Sequence, residues 1–435
     1  LKKWLTALSC AVLAISSTAC SSGSDKTTNN DTKDGRKKVV LSVYETSDFY
    51  KQAKMKFEEK HPDIMIEIKE YAAEGGNEEG KLEKYVQTTN TQLLSGKGAD
   101  LIDLDVSGLQ VGKYVNKNAL VNLNEFMNND KSFDSNHYYM NIFEHVKMNG
   151  GLYALPTRFF LDTLAGDSEG IKKAGVQIDD KDWTWSQFAK AGKLLNSKEG
   201  RYAMGNTPPE QMLGYLVADN YSTLVDTSKR KADFLSPFFT DLLKQVKTMY
   251  DDKVITAGTV NVGDAYFYPN LLISPDEYFT GPAQFFEQGK VYSKPHVNGQ
   301  KSGVSFRGNK SIAMNANSKV KPEAWEFIKF LLSEDVQAQP RLRGFSVNKL
   351  VNEKILGELA TKGSATTYSG TEVPVSAEGI QALKQMIADA NIFITDDSKI
   401  QSIIAEEAKA YFSGQKSADD VAKLIQNRVT TYINE

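Results

Sequence analysis

The stretch VVLSVYETSDFYKQAKMKFEEKHPDIMIEIKE, residues 39–70, decides the fold. Val39 to Val43 is a β-rich apolar run that stops at a polar turn, Tyr44-Glu45-Thr46-Ser47-Asp48. Phe49, Ala53 and Phe57 then recur at i, i+4 and i+8, the spacing of one helical face, and His61-Pro62 ends that helix. Ile64, Ile66 and Ile68 alternate, as side chains on one face of a strand do. Strand, helix and strand in that order predict a parallel pair joined by a right-handed crossover.

The pattern continues outward. Leu82, Val86 and Leu93 mark a second helix that stops at Gly96-Lys97-Gly98, and DLIDLD (100–105) reads as a third strand. Ligands of such sheets bind beyond the carboxyl ends of the strands, here Tyr44–Asp48 and Asp105–Ser107. GGLYALP (150–156) is a turn, an apolar strand and a terminating proline, after which a second unit begins. Thr184-Trp185-Ser186-Gln187 has the form of a capping box. Pro322 suits the first turn of a helix that carries Trp325, Ile328 and Leu332 on one face. Ser333 and Ser417 stand where helix starts need caps.

The chain has 435 residues and a mass of 48.2 kDa, too long for one ordinary core. A net charge of −3 argues against nucleic acid, whose phosphates demand an excess of Lys and Arg. The two cysteines are Cys10 and Cys20, so the main body has no thiol for a disulfide, a zinc site or a nucleophile. Lys2 and Lys3 precede a mostly apolar run from Trp4 to Ile15, too short to span a bilayer and suited to a secretory signal. The following Ser16-Ser17-Thr18-Ala19-Cys20 looks like a lipobox, which makes Cys20 the expected lipidation site. Residues 21–38 offer nothing large and apolar to bury and read as a solvated tether. Loss of residues 1–19 removes two lysines and no acid, and moves the formal charge from −3 to −5.

Taken in order, these blocks resemble the carbohydrate-type extracellular solute-binding proteins of bacterial ABC importers, the maltose-binding-like group. The resemblance rests on KFEEKHPDI (56–64), GADLIDLD (98–105), NALVNLNEF (118–126), GGLYALP (150–156), KKAGV (172–176) and WTWSQF (183–188). It continues through KPEAWEFIKFLLSEDVQ (321–337), GFSVNK (344–349) and YFSGQKSADDVAKLI (411–425). It implies an α/β, two-lobed periplasmic-binding-protein-like fold (type II), each lobe a mainly parallel sheet flanked by helices. Lobe one is expected over 39–153 plus 302–348, and lobe two over 154–301 plus 349–435. The implied role is a receptor, not an enzyme. It would be lipid-anchored and monomeric on the outer side of the cell membrane, capture a sugar by lobe closure, deliver it to the permease subunits of an ABC importer, and need no cofactor.

Positions matching the family's cleft supply the candidate ligand residues. They are Tyr44, Glu45 and Asp48 after the first strand, then Asp105 and Ser107, then Arg158 and Phe159 at the crossing. In the second lobe they are Asn206, Glu210, Gln211, Asp276, Tyr278 and Gln401. Many relatives place a platform Trp after a Gly-Pro turn; here Ser274-Pro275-Asp276-Glu277-Tyr278 occupies that place without one. Arg158 is a candidate fork for a carboxylate, and its alternative is a local salt bridge. Trp183, Trp185 and Trp325 are expected to be core. Asp103, Asp105 and Ser107 have the spacing of a calcium-loop start, but the twelfth position is Tyr114 instead of Glu, so a strand end is expected. The four scattered histidines, His61, His137, His145 and His296, are read as surface or capping residues without a metal. No nucleophile elbow, Walker loop, dinucleotide fingerprint or His-Glu-x-x-His stands in the sequence. Two alternatives remain open at this point: a glycan-active enzyme using a carboxylate pair, and a ligand module for a sensor kinase.

Overall fold

The structure, a computed structural model, describes residues 32–72, 80–227, 229–339, 342–395 and 397–434. The expected leader, Cys20 and the first part of the tether lie outside the described residues. Among the described residues, no helix is long and apolar enough to cross a membrane.

The opening stretch folds as its pattern requires. β1 (Lys37–Glu45) and β2 (Ile64–Ala72) are parallel, Val39 opposite Ile66 and Leu41 opposite Ile68, with α1 (Asp48–Lys60) between them. α1 buries Phe49, Ala53 and Phe57, and the Phe57 ring lies 5.1 Å from Phe327. α2 (Lys81–Leu94) forms as predicted but turns a different face inward: Tyr85, Thr89 and Leu93 are buried while Leu82 is 37% exposed. The Tyr85 ring meets Tyr44 at 5.7 Å and Tyr71 at 4.8 Å, and this aromatic cluster outbids the smaller aliphatics for the interior. β3 (Leu101–Asp103) joins β1 in parallel.

The remaining strands are β4 (Leu155–Asp167), β5 (Val225–Asp226), β6 (Lys231–Ala232), β7 (Phe267–Leu272), β8 (Gly289–Ser293) and β9 (Val304–Met314). β10 (Phe345–Ser346), β11 (Ser364–Thr366), β12 (Glu372–Pro374) and β13 (Ala390–Phe393) complete the set. The main sheet runs β10-β4-β9-β3-β1-β2, with β13 parallel to β9 and with β7 and β8 antiparallel to β4. It is therefore mixed. The parallel part is the βαβ unit and the β13–β9 pair. β4 carries the chain out of the first unit and β9 brings it back, so these two long strands run antiparallel.

One hydrophobic core lies on each side of this crossing. The first gathers Leu41, Phe57, Leu155, Phe306 and Trp325, and the second gathers Leu164, Trp185, Phe239, Tyr266 and Ile425. Trp183, Trp185 and Trp325 are all buried, as expected. The expected boundary at 348/349 needs correction. Leu356, Leu383 and Ile387, from helices Lys349–Lys362 and Ala377–Ala388, belong to the first core, and the second resumes at Ile400. The chain stays with the first core until β13, a third crossing laid beside β9, carries it over.

The helix starts follow capping chemistry. The Thr184 hydroxyl accepts from the Gln187 N–H at 3.2 Å, and the Gln187 side chain accepts from the Thr184 N–H at 2.6 Å. Ser417 accepts from the Asp420 N–H at 3.1 Å. Ser333 stands at a helix start, but its hydroxyl donates back to the Phe330 carbonyl at 2.7 Å.

Candidate functional site

The period of two along β4 and β9 builds the floor of a large cleft. Leu155, Phe159 and Leu161 point into the first core together with Phe306 and Ile312. The alternate residues point the other way. Pro156 and Phe160 of β4, with Ser305, Arg307, Asn309 and Ser311 of β9, line a cleft of about 1560 Å³. In the register of the pair, Phe160 is opposite Arg307 and Asp162 opposite Ser305. The walls come from both sides of the crossing: Asp105, Ser107 and Lys113 on one, Asn220, Asp226 and Arg230 on the other.

A charge network fixes the floor. Lys294 Nζ lies 2.9 Å from the Asp219 carboxylate and 3.7 Å from Asp162. Arg307 donates to Asp162 from Nη2 at 3.1 Å and from Nε at 3.3 Å. The Ser305 hydroxyl donates to Asp219 at 3.3 Å. The side chains of Lys294 and Asp219 are only 8% and 9% exposed. Burial opposes the Lys294 charge, but the Asp219 and Asp162 carboxylates outweigh it and raise its pKa. Such a buried pair holds geometry more than it adds stability, because desolvation offsets much of the attraction.

The lobe-one wall is tied to β9 through Asp105, which Asp103 in turn braces. Asp103 accepts from the Tyr50 hydroxyl at 2.8 Å and from the Asp105 N–H at 2.9 Å. Asp105 in turn accepts from the Ser311 N–H at 3.0 Å and from the Lys310 N–H. The Asp103–Asp105–Ser107 spacing is thus spent on a strand end, as expected. Desolvation, followed by the neighbouring Asp103 charge, pushes the Asp105 carboxyl up to about 6.

Across the mouth of the cleft the two sides touch. α3 (Val111–Asn116) meets the β5–β6 hairpin, and Asn116 Nδ2 donates to the Thr227 carbonyl at 2.8 Å. Gly112 permits the approach, since a Cβ there would sit 2.2 Å from Thr227 Oγ1.

Of the residues expected from sequence, Asp105 and Ser107 line this cleft. Arg158 and Phe159 need correction. Phe159 is fully buried in the first core, 5.5 Å from the Phe345 ring. Arg158 has the cleft parity but turns sideways: it donates to the Arg343 carbonyl at 2.9 Å, to the Gln337 side chain at 3.0 Å, and to the Gly344 carbonyl. It is 4% exposed, and burial pulls its pKa down to about 10. Its guanidinium is engaged by a carbonyl-lined pocket instead of the salt bridge weighed as the alternative.

The other candidates stand outside the cleft lining. Tyr44 packs on Tyr85, Glu45 ends β1, and Asp48 is exposed in the first turn of α1. Asn206 clasps its own loop, donating to the Val260 carbonyl at 2.8 Å and accepting from the Val260 N–H at 2.8 Å. Glu210 lies in the first turn of helix Pro209–Asp219, where Gln211 donates to the Tyr215 hydroxyl at 2.7 Å. Asp276 precedes the short helix Glu277–Thr280, and Tyr278 packs against the first core. Gln401 donates to the Gly214 carbonyl at 3.3 Å and joins two second-core helices. Sequence reasoning missed Phe160, Asp162, Asp219, Lys294 and Arg307. Alternation along β4, counted from Pro156, was the available signal for Phe160.

A family model described as "Bacterial extracellular solute-binding protein" matches residues 43–338, well over half the chain. The chain belongs to that family. Similar solved structures span nearly all of this solute-binding protein. One is a family 1 extracellular solute-binding protein from Alicyclobacillus acidocaldarius, at 15% identity and a TM-score of 0.63, covering 92% of this chain and 99% of that one. Another is a sugar transporter from Rhizobium etli in an open conformation, at 20% identity and 0.62, covering 90% and 98%. A third is an ABC substrate-binding protein from Listeria monocytogenes in complex with cycloalternan, at 16% identity and 0.57, covering 91% and 99%. At these identities the likeness establishes a shared two-lobed fold. The family consists of binding proteins and places this one in an extracellular or periplasmic setting.

Proposed function

We propose that this solute-binding protein captures a saccharide in the cleft between its lobes and delivers it to the permease subunits of an ABC importer. It does so as a monomer, held at the membrane by a lipid on Cys20. The observation that carries this reading is the floor formed by β4 and β9, where the half-buried Phe160 and its register partner Arg307 both line the cleft. An aromatic plate beside a polar fork matches a sugar, which offers an apolar C–H face and a rim of hydroxyls. The Rhizobium protein's description as a sugar transporter and the cycloalternan complex of the Listeria protein support the same class. Contacts from both walls favour the closed state, which is the form a permease would recognise. No bond is made or broken in this cycle.

A thermal-shift screen against mono- and oligosaccharides tests the reading. A ligand at a hundredfold its Kd raises the midpoint by roughly 3 °C in a protein of this size. A response to peptides or metal ions with none to any saccharide would reject the substrate class. The anchor has its own test: Cys20→Ser is expected to release the protein into the medium, and unchanged membrane retention would remove the lipid from the account.

A further inference from the structure

The acids and bases lining the cleft are not equivalent, and their inequality points to a ligand class. Asp105 accepts from two backbone N–H groups, and Asp219 from Lys294 and Ser305. Asp226 accepts from the Lys229 backbone at 2.9 Å and its ammonium at 2.8 Å, and Asp389 from the Gln385 side chain at 2.9 Å. Asp397 caps a helix through the N–H groups of Lys399 and Ile400, each at 3.1 Å. Every one of these carboxylates is engaged by the protein itself. By contrast Arg230, Lys301, Lys310 and Lys399 line the same cleft and form no ion pair among the described residues. Neutral sugars are held largely by hydroxyls that donate to carboxylates, so a cleft with committed acceptors and available donors suits a ligand that brings its own acceptors.

We propose that the saccharide is anionic, carrying a uronate carboxylate or a sulfate ester that Lys310 receives on β9, with the Asp162-paired Arg307, three residues before it on the same strand, as a second contact. This rests on the saccharide reading above. Asp162 holds the Arg307 guanidinium in place from within the floor, while its side chain remains 31% exposed towards the cleft. A guanidinium held in this way adds a fixed positive charge beside Lys310, which favours a carboxylate or sulfate. Lys310 follows on β9 at a left-handed residue (φ 54°) and lies beside Asp105, its ammonium 5.6 Å from the Tyr50 ring.

Calorimetry on the full chain tests this with three probes of equal length: oligogalacturonate, its neutral galacto-oligosaccharide counterpart, and a sulfated galacto-oligosaccharide. An anionic probe is expected to bind about tenfold or more tighter than the neutral one, the worth of one charge-assisted hydrogen bond. Whichever anionic probe wins identifies the anion. Raising the salt concentration should erode the preference. Lys310→Gln, which leaves the floor network intact, should remove most of it, and Arg307→Gln should reduce it, with both variants still unfolding cooperatively. Equal binding of neutral and anionic probes overturns the proposal while leaving a sugar receptor standing. So does a preference that survives both substitutions. Failure of every saccharide overturns the sugar reading itself.

Discussion

The floor and the mouth of the cleft join the two halves of the molecule by different means. At the floor, three strands cross and a buried set of charges, Lys294, Asp219, Asp162 and Arg307, links β4, β9 and helix Pro209–Asp219. At the mouth, the contacts among the described residues include a close backbone approach at Gly112 and a hydrogen bond from Asn116 to Thr227. The floor involves the backbone of both halves and cannot part without unfolding. The mouth can part at the cost of surface polar contacts of the kind that water readily replaces. A hinge at one end and a separable contact at the other is what a closing receptor requires.

The largest effect that separates the two regions is expected at the floor. Lys294→Met leaves Asp219 buried without its cation and should cost about 3 to 5 kcal/mol in urea unfolding. Combining it with Asp219→Leu should recover much of that loss, and a double variant as unstable as the single one would show that the pair is not the reason. Next comes the mouth. Gly112→Val places a side chain against Thr227, an overpacking of about 1 to 3 kcal/mol that opposes closure and spares the fold. Its expected signature is a larger radius of gyration in solution scattering and weaker ligand binding at an unchanged thermal midpoint. An unchanged radius with lost stability would make the contact structural.

Asp105 supplies a smaller effect that depends on pH. Its folded pKa, raised to about 6, lies above that of an unfolded carboxyl, so its contribution is complete below about pH 4. That contribution is lost as the pH rises through 6, and after allowance for solvent screening it is on the order of 1 kcal/mol. Urea midpoints between pH 4 and 7 should therefore slope less steeply in Asp105→Asn than in the parent, and identical slopes would count against it. The smallest effect belongs to Asn116→Ala, which removes one hydrogen bond worth about 1 kcal/mol and should weaken ligand binding by roughly fivefold. Equal affinity would mean that this bond does not help to hold the closed state.

What could be read from the sequence follows from how local each signal is. The strand, helix and strand of residues 39–70 carry their own periodicities, and all three formed where those periods placed them. The Thr184 capping box is likewise a matter of four residues and was realised in full. α2 was found but its face was not, because the inward position of Tyr85 depends on Tyr44 and Tyr71, which arrive from two strands. The site was less legible still. On a strand, one residue decides the face, so choosing Phe159 instead of Phe160 moved the candidate from the cleft into the core. Arg158 kept the right parity, yet its destination was fixed by carbonyls at Gln337, Arg343 and Gly344, nearly two hundred positions along the chain. The floor network joins residues 162, 219, 294 and 307, a grouping that no local pattern announces.

The central claim is that the floor of β4 and β9 is where the saccharide sits. Titration calorimetry of the parent and of Phe160→Ala, with the saccharide that best stabilises the parent, tests this most directly. The account predicts that Phe160→Ala loses about five- to thirtyfold in affinity, in keeping with the roughly 1 to 2 kcal/mol of an aromatic contact, while it still unfolds cooperatively. An affinity equal to that of the parent would place the ligand elsewhere and contradict the account.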